Sequence, residues 1–211
     1  MNVYAISGLG ADYRVFSKLE LNEPLQFIKW ITPNSINEPI ANYALRLCDQ
    51  IDLTKPFVLV GVSFGGLIAT EINKIYRAEK IILISSTDTK VGIKPLFRFF
   101  KSFVPLLSQQ LLVPPIFLAF YFFGTNHKAL LRKIIKVSDP YFNKWAIMQL
   151  TRWNNNDTPT NSFKINGDAD KLIPPQHDDR TIIVHGGGHL MIIDKSDEVS
   201  SLINRLLLID L

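Results

Sequence analysis

A serine flanked by glycines stands where an apolar segment gives way to a helical pattern, in GVSFGG at residues 61–66. Residues 56–62 are mostly apolar, and the residues after Ser63 repeat their apolar positions with the period of a helix. A serine at such a turn can project its hydroxyl from the end of a sheet and act as a nucleophile, provided that a base lies nearby. The alternative is a structural serine in a tight glycine turn. The remaining residues of the chain must decide between these two interpretations.

Four histidines are candidates for the base. His189 follows three glycines in HGGGHLMII, and such a loop can bring the imidazole back over the carboxyl end of a sheet. His185 ends the last predicted strand and is expected in the core or at the sheet edge, whereas His177 and His127 lie in polar or inserted segments. A metal site at His185 and His189 lacks a third ligand, so no metal is predicted. We predict His189 as the base.

The acid that orients the histidine is expected after the fifth predicted strand, in INGDADKLIPP. Asp168 and Asp170 are both candidates, and their spacing alone does not choose between them. Asp88, which follows the fourth strand, is a third candidate. Aspartates on such a loop also serve as simple turn formers.

A glycine-rich loop, ISGLGAD at residues 6–12, follows the first predicted strand. We predict that the Leu9 and Phe64 N–H groups form an oxyanion hole, in which each donor contributes about 3 kcal/mol. The same glycines resemble a dinucleotide-binding fingerprint. However, Tyr13 occupies its third glycine position, and the second strand ends near Trp30 without the required acid. No organic cofactor is therefore predicted.

Alternating strands and helices must position these side chains. Six apolar runs predict strands, at residues 3–6, 26–31, 56–62, 80–86, 160–166 and 180–185. Helical patterns between them, beginning with YRVFSKLEL at residues 13–21, predict a mostly parallel sheet with helices on both faces. A gap without strands, at about 88–158, favours a helical cap inserted over the site. Its apolar stretch 111–123 is too short to span a bilayer.

The inserted segment differs in composition from the rest of the chain. The 211 residues carry a net charge of +4, yet residues 89–138 contain eight basic residues, no acid and eight of the 14 phenylalanines. The phenylalanines suggest an apolar pocket, while the unopposed basic charge suggests an anionic head group or a transient contact with a membrane surface. The phenylalanines are equally consistent with a core that belongs to the cap itself. The basic residues do not form a recognised nucleic-acid module, so no nucleic-acid partner is predicted.

The single cysteine bears on the compartment of the protein. Cys48 cannot form an internal disulfide, and its helical neighbours predict that it is a buried apolar residue. The N-terminal residues do not resemble a signal peptide. Together these features predict a cytoplasmic protein.

The motifs SGLGAD, GVSFGG, INGDADKLIP and GGGHLMII together resemble those of the α/β-hydrolase superfamily, specifically its small capped single-domain members. The resemblance covers nearly the whole chain and implies one domain, 1–211, that lacks the two leading antiparallel strands of the family. The family motif that ends in proline selects Asp170 over Asp168, and the glycine-glycine-histidine motif matches His189. The sequence departs from the family at Ser7, where the oxyanion loop usually carries histidine.

The resemblance implies hydrolysis of a small-molecule ester or thioester through an acyl-enzyme. Ser63 would attack the substrate, His189 would move the proton and Asp170 would hold the imidazole, with no cofactor. The alternative is a non-catalytic hydrolase-fold protein that binds an apolar ligand or a membrane surface through its basic, Phe-rich cap. The fold hosts many chemistries, so it does not specify the substrate.

Overall fold

A computed structural model, which describes residues 1–108, 123, 125, 127–136 and 139–209, contains one parallel sheet. Its strands are β1 (Asn2–Ile6), β2 (Leu25–Phe27), β3 (Phe57–Val62), β4 (Lys80–Ile84), β5 (Ser162–Gly167) and β6 (Thr181–Val184). The spatial order is β2-β1-β3-β4-β5-β6, and all neighbouring strands run parallel. This confirms the predicted sheet. The strand order changes direction between β1 and β3, because β2 lies beyond β1 on one side and β4 lies beyond β3 on the other. Open sheets of this kind place their binding sites at such a point.

Helices cover both faces of the sheet. Those in the described residues are α1 (Ile40–Leu47), α2 (Phe64–Ile75), α3 (Pro95–Phe99), α4 (Lys128–Lys136), α5 (Pro140–Arg152), α6 (Met191–Asp194) and α7 (Ser196–Leu208). Because side chains alternate along a strand, Phe57 and Leu59 of β3 pack with α1, α2 and α5. Val58 and Val60 pack with α4, α6 and α7 on the other face. Burial on both faces explains why β3 is continuously apolar.

The second strand is shorter than its sequence predicts. Its ladder ends near Ile28, whose N–H donates to Ala5. Beyond that point, the Lys29 N–H donates to the Gln50 side chain and the Ile31 N–H donates to the Tyr43 hydroxyl. Side chains from α1 and the turn that follows it therefore replace the backbone acceptors that would have extended the strand.

The predicted helix over residues 13–21 is only one 3₁₀ turn, Tyr13–Phe16, capped by the Asp12 carboxylate. Two side chains of α7 bind the backbone that follows it: Ser200 accepts from the Glu20 N–H, and Asn204 accepts from the Asn22 N–H. These tertiary hydrogen bonds use N–H groups that would otherwise bind within a helix. The apolar periodicity of the segment alone could not predict them.

The segment between β4 and β5 contains α3, α4 and α5, and its described residues contain no strand. The cap predicted at about 88–158 falls in this segment, and its role as a cap stays a prediction. Trp145 of α5 is fully buried, and its indole N–H donates to the Glu38 carbonyl at 2.8 Å. Most of the apolar stretch 111–123 lies outside the described residues, although Phe123 is described. Among the described helices, none has both the length and the apolar character needed to cross a bilayer.

Cys48 lies in the core beside α1. Its side chain is buried, and its thiol donates to the Ala44 carbonyl. Burial raises the pKa of the Cys48 thiol to about 11, so the thiol stays protonated at neutral pH. Cys48 is therefore not a candidate nucleophile.

Candidate active site

Ser63 occupies the sharp turn between β3 and α2. Its φ of 52° and ψ of −121° lie in a region that costs a non-glycine residue about 1–3 kcal/mol. Three hydrogen bonds hold this backbone: the Ser63 N–H donates to Ile84, and the Ser63 carbonyl accepts from the Gly66 N–H and the Ser86 hydroxyl. The Ser63 hydroxyl does not cap α2. The turn therefore fixes the serine while leaving its hydroxyl for another partner.

The glycines around Ser63 are required by close packing. A Cβ on Gly65 would lie 2.3 Å from the Ser7 carbonyl oxygen and 2.4 Å from that of Ile6. A Cβ on Gly61 would lie 2.6 Å from the Gly66 Cα. All of these neighbours are backbone atoms, which cannot move aside as a flexible side chain can. The glycine pattern in the sequence thus reflects the approach of β1 and α2 to the turn.

His189, the predicted base, lies next to Ser63. It follows the glycine loop after β6, and its Nε2 is 2.9 Å from the Ser63 Oγ. Its Nδ1 is 2.8 Å from the Asp170 Oδ2, and the imidazole is almost fully buried. A neutral imidazole that donates from Nδ1 to the carboxylate presents the lone pair of Nε2 to the serine hydroxyl. This is the tautomer that can accept the serine proton.

Asp170 is held by its own loop after β5. Its side chain is fully buried, and its Oδ1 accepts hydrogen bonds from the Leu172 and Ile173 N–H groups at 2.8 and 3.0 Å. Its Oδ2 therefore faces His189. The carboxylate is fixed by three hydrogen bonds, which suits it to orient an imidazole.

The other candidate acids lie elsewhere. Asp168 pairs with His185 at 2.9 Å and accepts from the Gly186 N–H at 2.7 Å, in an exposed position. The hydrogen bond from His185, with that from Gly186, holds the pKa of Asp168 below its usual value. Asp88 is buried against Lys164. The two loops thus form two histidine–aspartate pairs, His185–Asp168 and His189–Asp170. Of these, only His189–Asp170 contacts Ser63.

The remaining histidines also lie away from Ser63. His185 is 90% exposed, not buried in the core, because β6 ends one residue before it at Val184. His177 is exposed, and His127 contacts the Lys18 ammonium. None of these three contacts the serine hydroxyl. Within the described residues, no group of three or more metal-ligating side chains is found.

The loop after β1 lies against the turn that carries Ser63. Gly8 packs so closely that a Cβ there would lie 3.4 Å from the Ser63 Cβ. Within the described part of the chain, the N–H groups of Leu9 and Phe64 donate to no protein acceptor. Because Phe64 directly follows Ser63 and Leu9 directly follows Gly8, both N–H groups lie close to the Ser63 turn and can donate to a substrate oxygen.

Ser7 provides the support that this loop needs. Its hydroxyl donates to the Ala11 carbonyl at 2.7 Å, and the Trp30 indole N–H donates to the same oxygen at 3.1 Å. The Ala11 N–H closes the turn by donating to the Gly8 carbonyl. A buried serine can thus brace the loop at the position where the family usually has histidine. The contribution of Trp30, 19 residues away, could not be predicted from the sequence.

An apolar cavity of about 190 Å³ opens beside Ser63 and His189. It is bounded by residues from the β1 loop, α3, α4, α5 and the two loops that carry Asp170 and His189. Aliphatic and aromatic side chains form most of its wall: Val15, Ile93, Phe97, Phe123, Leu131, Ile134, Leu150, Leu172, Ile173 and Leu190. A cavity of this character favours a hydrocarbon group over a charged one.

Phe123 is a neighbour of His189 that the sequence did not identify. Its ring centroid lies 5.5 Å from that of the imidazole, and its carbonyl accepts from the Leu190 N–H. Phe123 precedes His189 by 66 residues, so no local motif links them. The ring shields one side of the imidazole from water.

Comparison with known proteins agrees with this architecture. A model of the alpha/beta hydrolase family matches residues 30–202, while no curated protein matches the sequence. An esterase from Thermogutta terrifontis is 17% identical, with a TM-score of 0.69 over 98% of this chain and 89% of that chain. A lipase-esterase related protein from Clostridium acetobutylicum is 16% identical, with a TM-score of 0.66 over 97% and 94% of the two chains.

A bromoperoxidase from Bacillus anthracis is 15% identical, with a TM-score of 0.71 over 98% of this chain and 91% of that chain. At these identities the solved structures establish the fold, and their different names show that the fold does not determine the reaction. The family model covers far more than half of the sequence and confirms the predicted superfamily. This chain belongs to the alpha/beta hydrolase family.

Proposed function

We propose that this protein hydrolyses an ester or thioester of an apolar acyl group through an acyl-enzyme, using Ser63, His189 and Asp170 as a catalytic triad. One observation carries the proposal. A continuous chain of hydrogen bonds runs from the buried Asp170 carboxylate through His189 to the Ser63 hydroxyl, with links of 2.8 and 2.9 Å. That chain ends beside an apolar cavity.

In the acylation step, the Ser63 oxygen attacks the carbonyl carbon while its proton moves to the His189 Nε2. The Leu9 and Phe64 N–H groups stabilise the negative charge on the former carbonyl oxygen. As the tetrahedral intermediate collapses, the imidazolium gives its proton to the departing alkoxide or thiolate. Water then attacks the acyl-serine in the same manner, and the carboxylic acid leaves. Asp170 stabilises the imidazolium in both steps.

The strained turn supports an enzyme over a protein that only binds an apolar ligand. A cavity needs no serine at a positive φ, yet this chain holds Ser63 in that conformation with three hydrogen bonds to its backbone groups. Strain of this kind is commonly kept where it positions a reactive group. The esterase and lipase-esterase names of structural neighbours are consistent with the same chemistry.

A fluorophosphonate probe tests the identity of the nucleophile. We expect it to label the wild-type protein at one site and to leave Ser63→Ala unlabelled, because only an activated hydroxyl attacks such a probe. Ser35→Ala, at an exposed serine, serves as the matched control and should be labelled like wild type. Labelling of Ser63→Ala at the wild-type rate would show that another residue is the nucleophile.

The apolar cavity predicts a preference for longer acyl groups. Across p-nitrophenyl esters, we expect kcat/KM to rise from acetyl to medium-length acyl chains, by up to about fourfold for each buried CH₂. Matched thioesters measured alongside would show which leaving group the site accepts. A rate that is independent of acyl length would show that the cavity does not hold the acyl group.

A further inference from the structure

A group of exposed apolar side chains follows β4 in the segment that carries α3. Phe99 is 68% exposed, Phe103 is 52% exposed and Leu106 is 82% exposed. The Phe99 ring contacts the rings of Phe100 and Phe103 at centroid distances of 5.9 and 6.0 Å. We call this surface the Phe/Leu face, and it consists of Leu96, Phe99, Phe100, Phe103 and Leu106. Contiguous exposed apolar groups of this kind mark an interaction surface.

The Phe/Leu face is anchored to the rest of the protein. Phe97 points into the apolar cavity, and Val104 is buried. The Lys144 ammonium of α5 donates to the Pro105 and Leu107 carbonyls at 3.1 and 2.8 Å. The inward residues and this lysine fix the orientation of the segment, so the exposed side chains are presented outward by a supported backbone.

The segment of the chain that carries the Phe/Leu face has charged residues of one sign. Residues 89–138 contain eight basic residues and no acid. Lys101 is exposed between the phenylalanines, and Lys94 directly precedes α3. Phenylalanine and leucine side chains enter the boundary between lipid headgroups and acyl chains, while neighbouring lysines attract anionic headgroups by about 1 kcal/mol each.

We infer that the Phe/Leu face is a docking surface for an anionic lipid bilayer. Charge complementarity favours this partner over a second copy of the chain, because two such faces would bring like charges together. The face lies on the same short segment as Phe97 and Ile93, which line the cavity. A docked protein would therefore hold its cavity next to the bilayer, from which apolar molecules partition.

Vesicle sedimentation tests this inference. We expect wild-type protein to sediment with vesicles of phosphatidylcholine and phosphatidylglycerol, and much less with phosphatidylcholine alone. Binding should weaken between about 0.1 M and about 1 M salt, since the Debye length falls from about 10 Å to about 3 Å. Ser63→Ala should bind like wild type, because docking does not require turnover.

A triple variant, Phe99→Ser, Phe103→Ser and Leu106→Ser, removes the most exposed part of the face. We expect it to bind anionic vesicles at least about tenfold more weakly, since even one lost apolar side chain reduces partitioning by about that factor. The matched control changes three exposed apolar residues outside this segment, Leu45, Leu53 and Tyr76, to serine. It should bind like wild type.

The outcomes separate this inference from the proposed function. If wild type does not sediment with anionic vesicles, or if the triple variant binds as wild type does, the docking surface is wrong. Equal binding to vesicles with and without phosphatidylglycerol would also overturn it. A wild-type dimer that the triple variant converts to a monomer would assign the face to a second copy instead. Fluorophosphonate labelling without vesicles tests only the triad and should be retained in the triple variant.

Discussion

Asp170→Asn is expected to lower kcat for ester hydrolysis by about 10⁴-fold. The carboxylate accepts a hydrogen bond from the His189 Nδ1 and thereby leaves Nε2 free to accept the serine proton. An asparagine can donate its amide hydrogen to Nδ1, which favours the tautomer with the proton on Nε2. That tautomer cannot act as the base, and the imidazolium also loses its negative partner. The measurement is kcat on a p-nitrophenyl ester.

Asp168→Asn is the matched control, since the two aspartates lie two residues apart on one loop. Its oxygen can still accept from the Gly186 N–H, and the His185 pair it weakens is exposed to solvent. We therefore expect kcat to change by less than about threefold, as for most exposed ion pairs. Melting temperatures near that of wild type would show that both variants fold. If Asp168→Asn lost the activity and Asp170→Asn kept it, the acid would be Asp168.

The turn around Ser63 was predictable because its determinants are local. A buried strand, a glycine on either side and a helical pattern all lie within about 20 residues of sequence. The close contacts of Gly61 and Gly65 show that a side chain at either position would collide with neighbouring backbone atoms. The parallel sheet followed from the alternation of strands and helices for the same reason.

The choice between Asp168 and Asp170 was not predictable from spacing, since it depends on how two distant loops meet. A Cβ on Gly167 would lie only 2.0 Å from the Gly187 carbonyl oxygen, and the Ala169 N–H donates to that same oxygen. This crossing sets which aspartate faces which histidine. Family resemblance selected Asp170, whereas local chemistry treats the two aspartates alike. The short β2 and the 3₁₀ turn Tyr13–Phe16 likewise depend on side chains from distant helices.

Lys164→Met is expected to destabilise the fold by about 3–5 kcal/mol, because it removes the cation from a buried ion pair. Lys164 of β5 is 1% exposed, and its ammonium lies 3.1 and 3.2 Å from the two carboxylate oxygens of the fully buried Asp88. Without the lysine, Asp88 keeps its burial but loses its partner. For a chain of this size, the melting temperature should fall by roughly 6–20 °C.

Two further variants show whether the loss arises from the unpaired charge. Asp178 also contacts the Lys164 ammonium, at 2.9 Å, but its side chain is 42% exposed, so Asp178→Asn should cost less than about 1 kcal/mol. The double variant Lys164→Met with Asp88→Leu removes both buried charges and should recover most of the lost stability. Asn155 still has its acceptor in that variant, because it binds the backbone carbonyl of residue 88.

If Lys164→Met melted at the wild-type temperature, the buried pair would contribute nothing to the stability of the fold. If the double variant were no more stable than Lys164→Met, the loss of stability would be due to packing. Removing the unpaired Asp88 carboxylate would then have had no effect on stability.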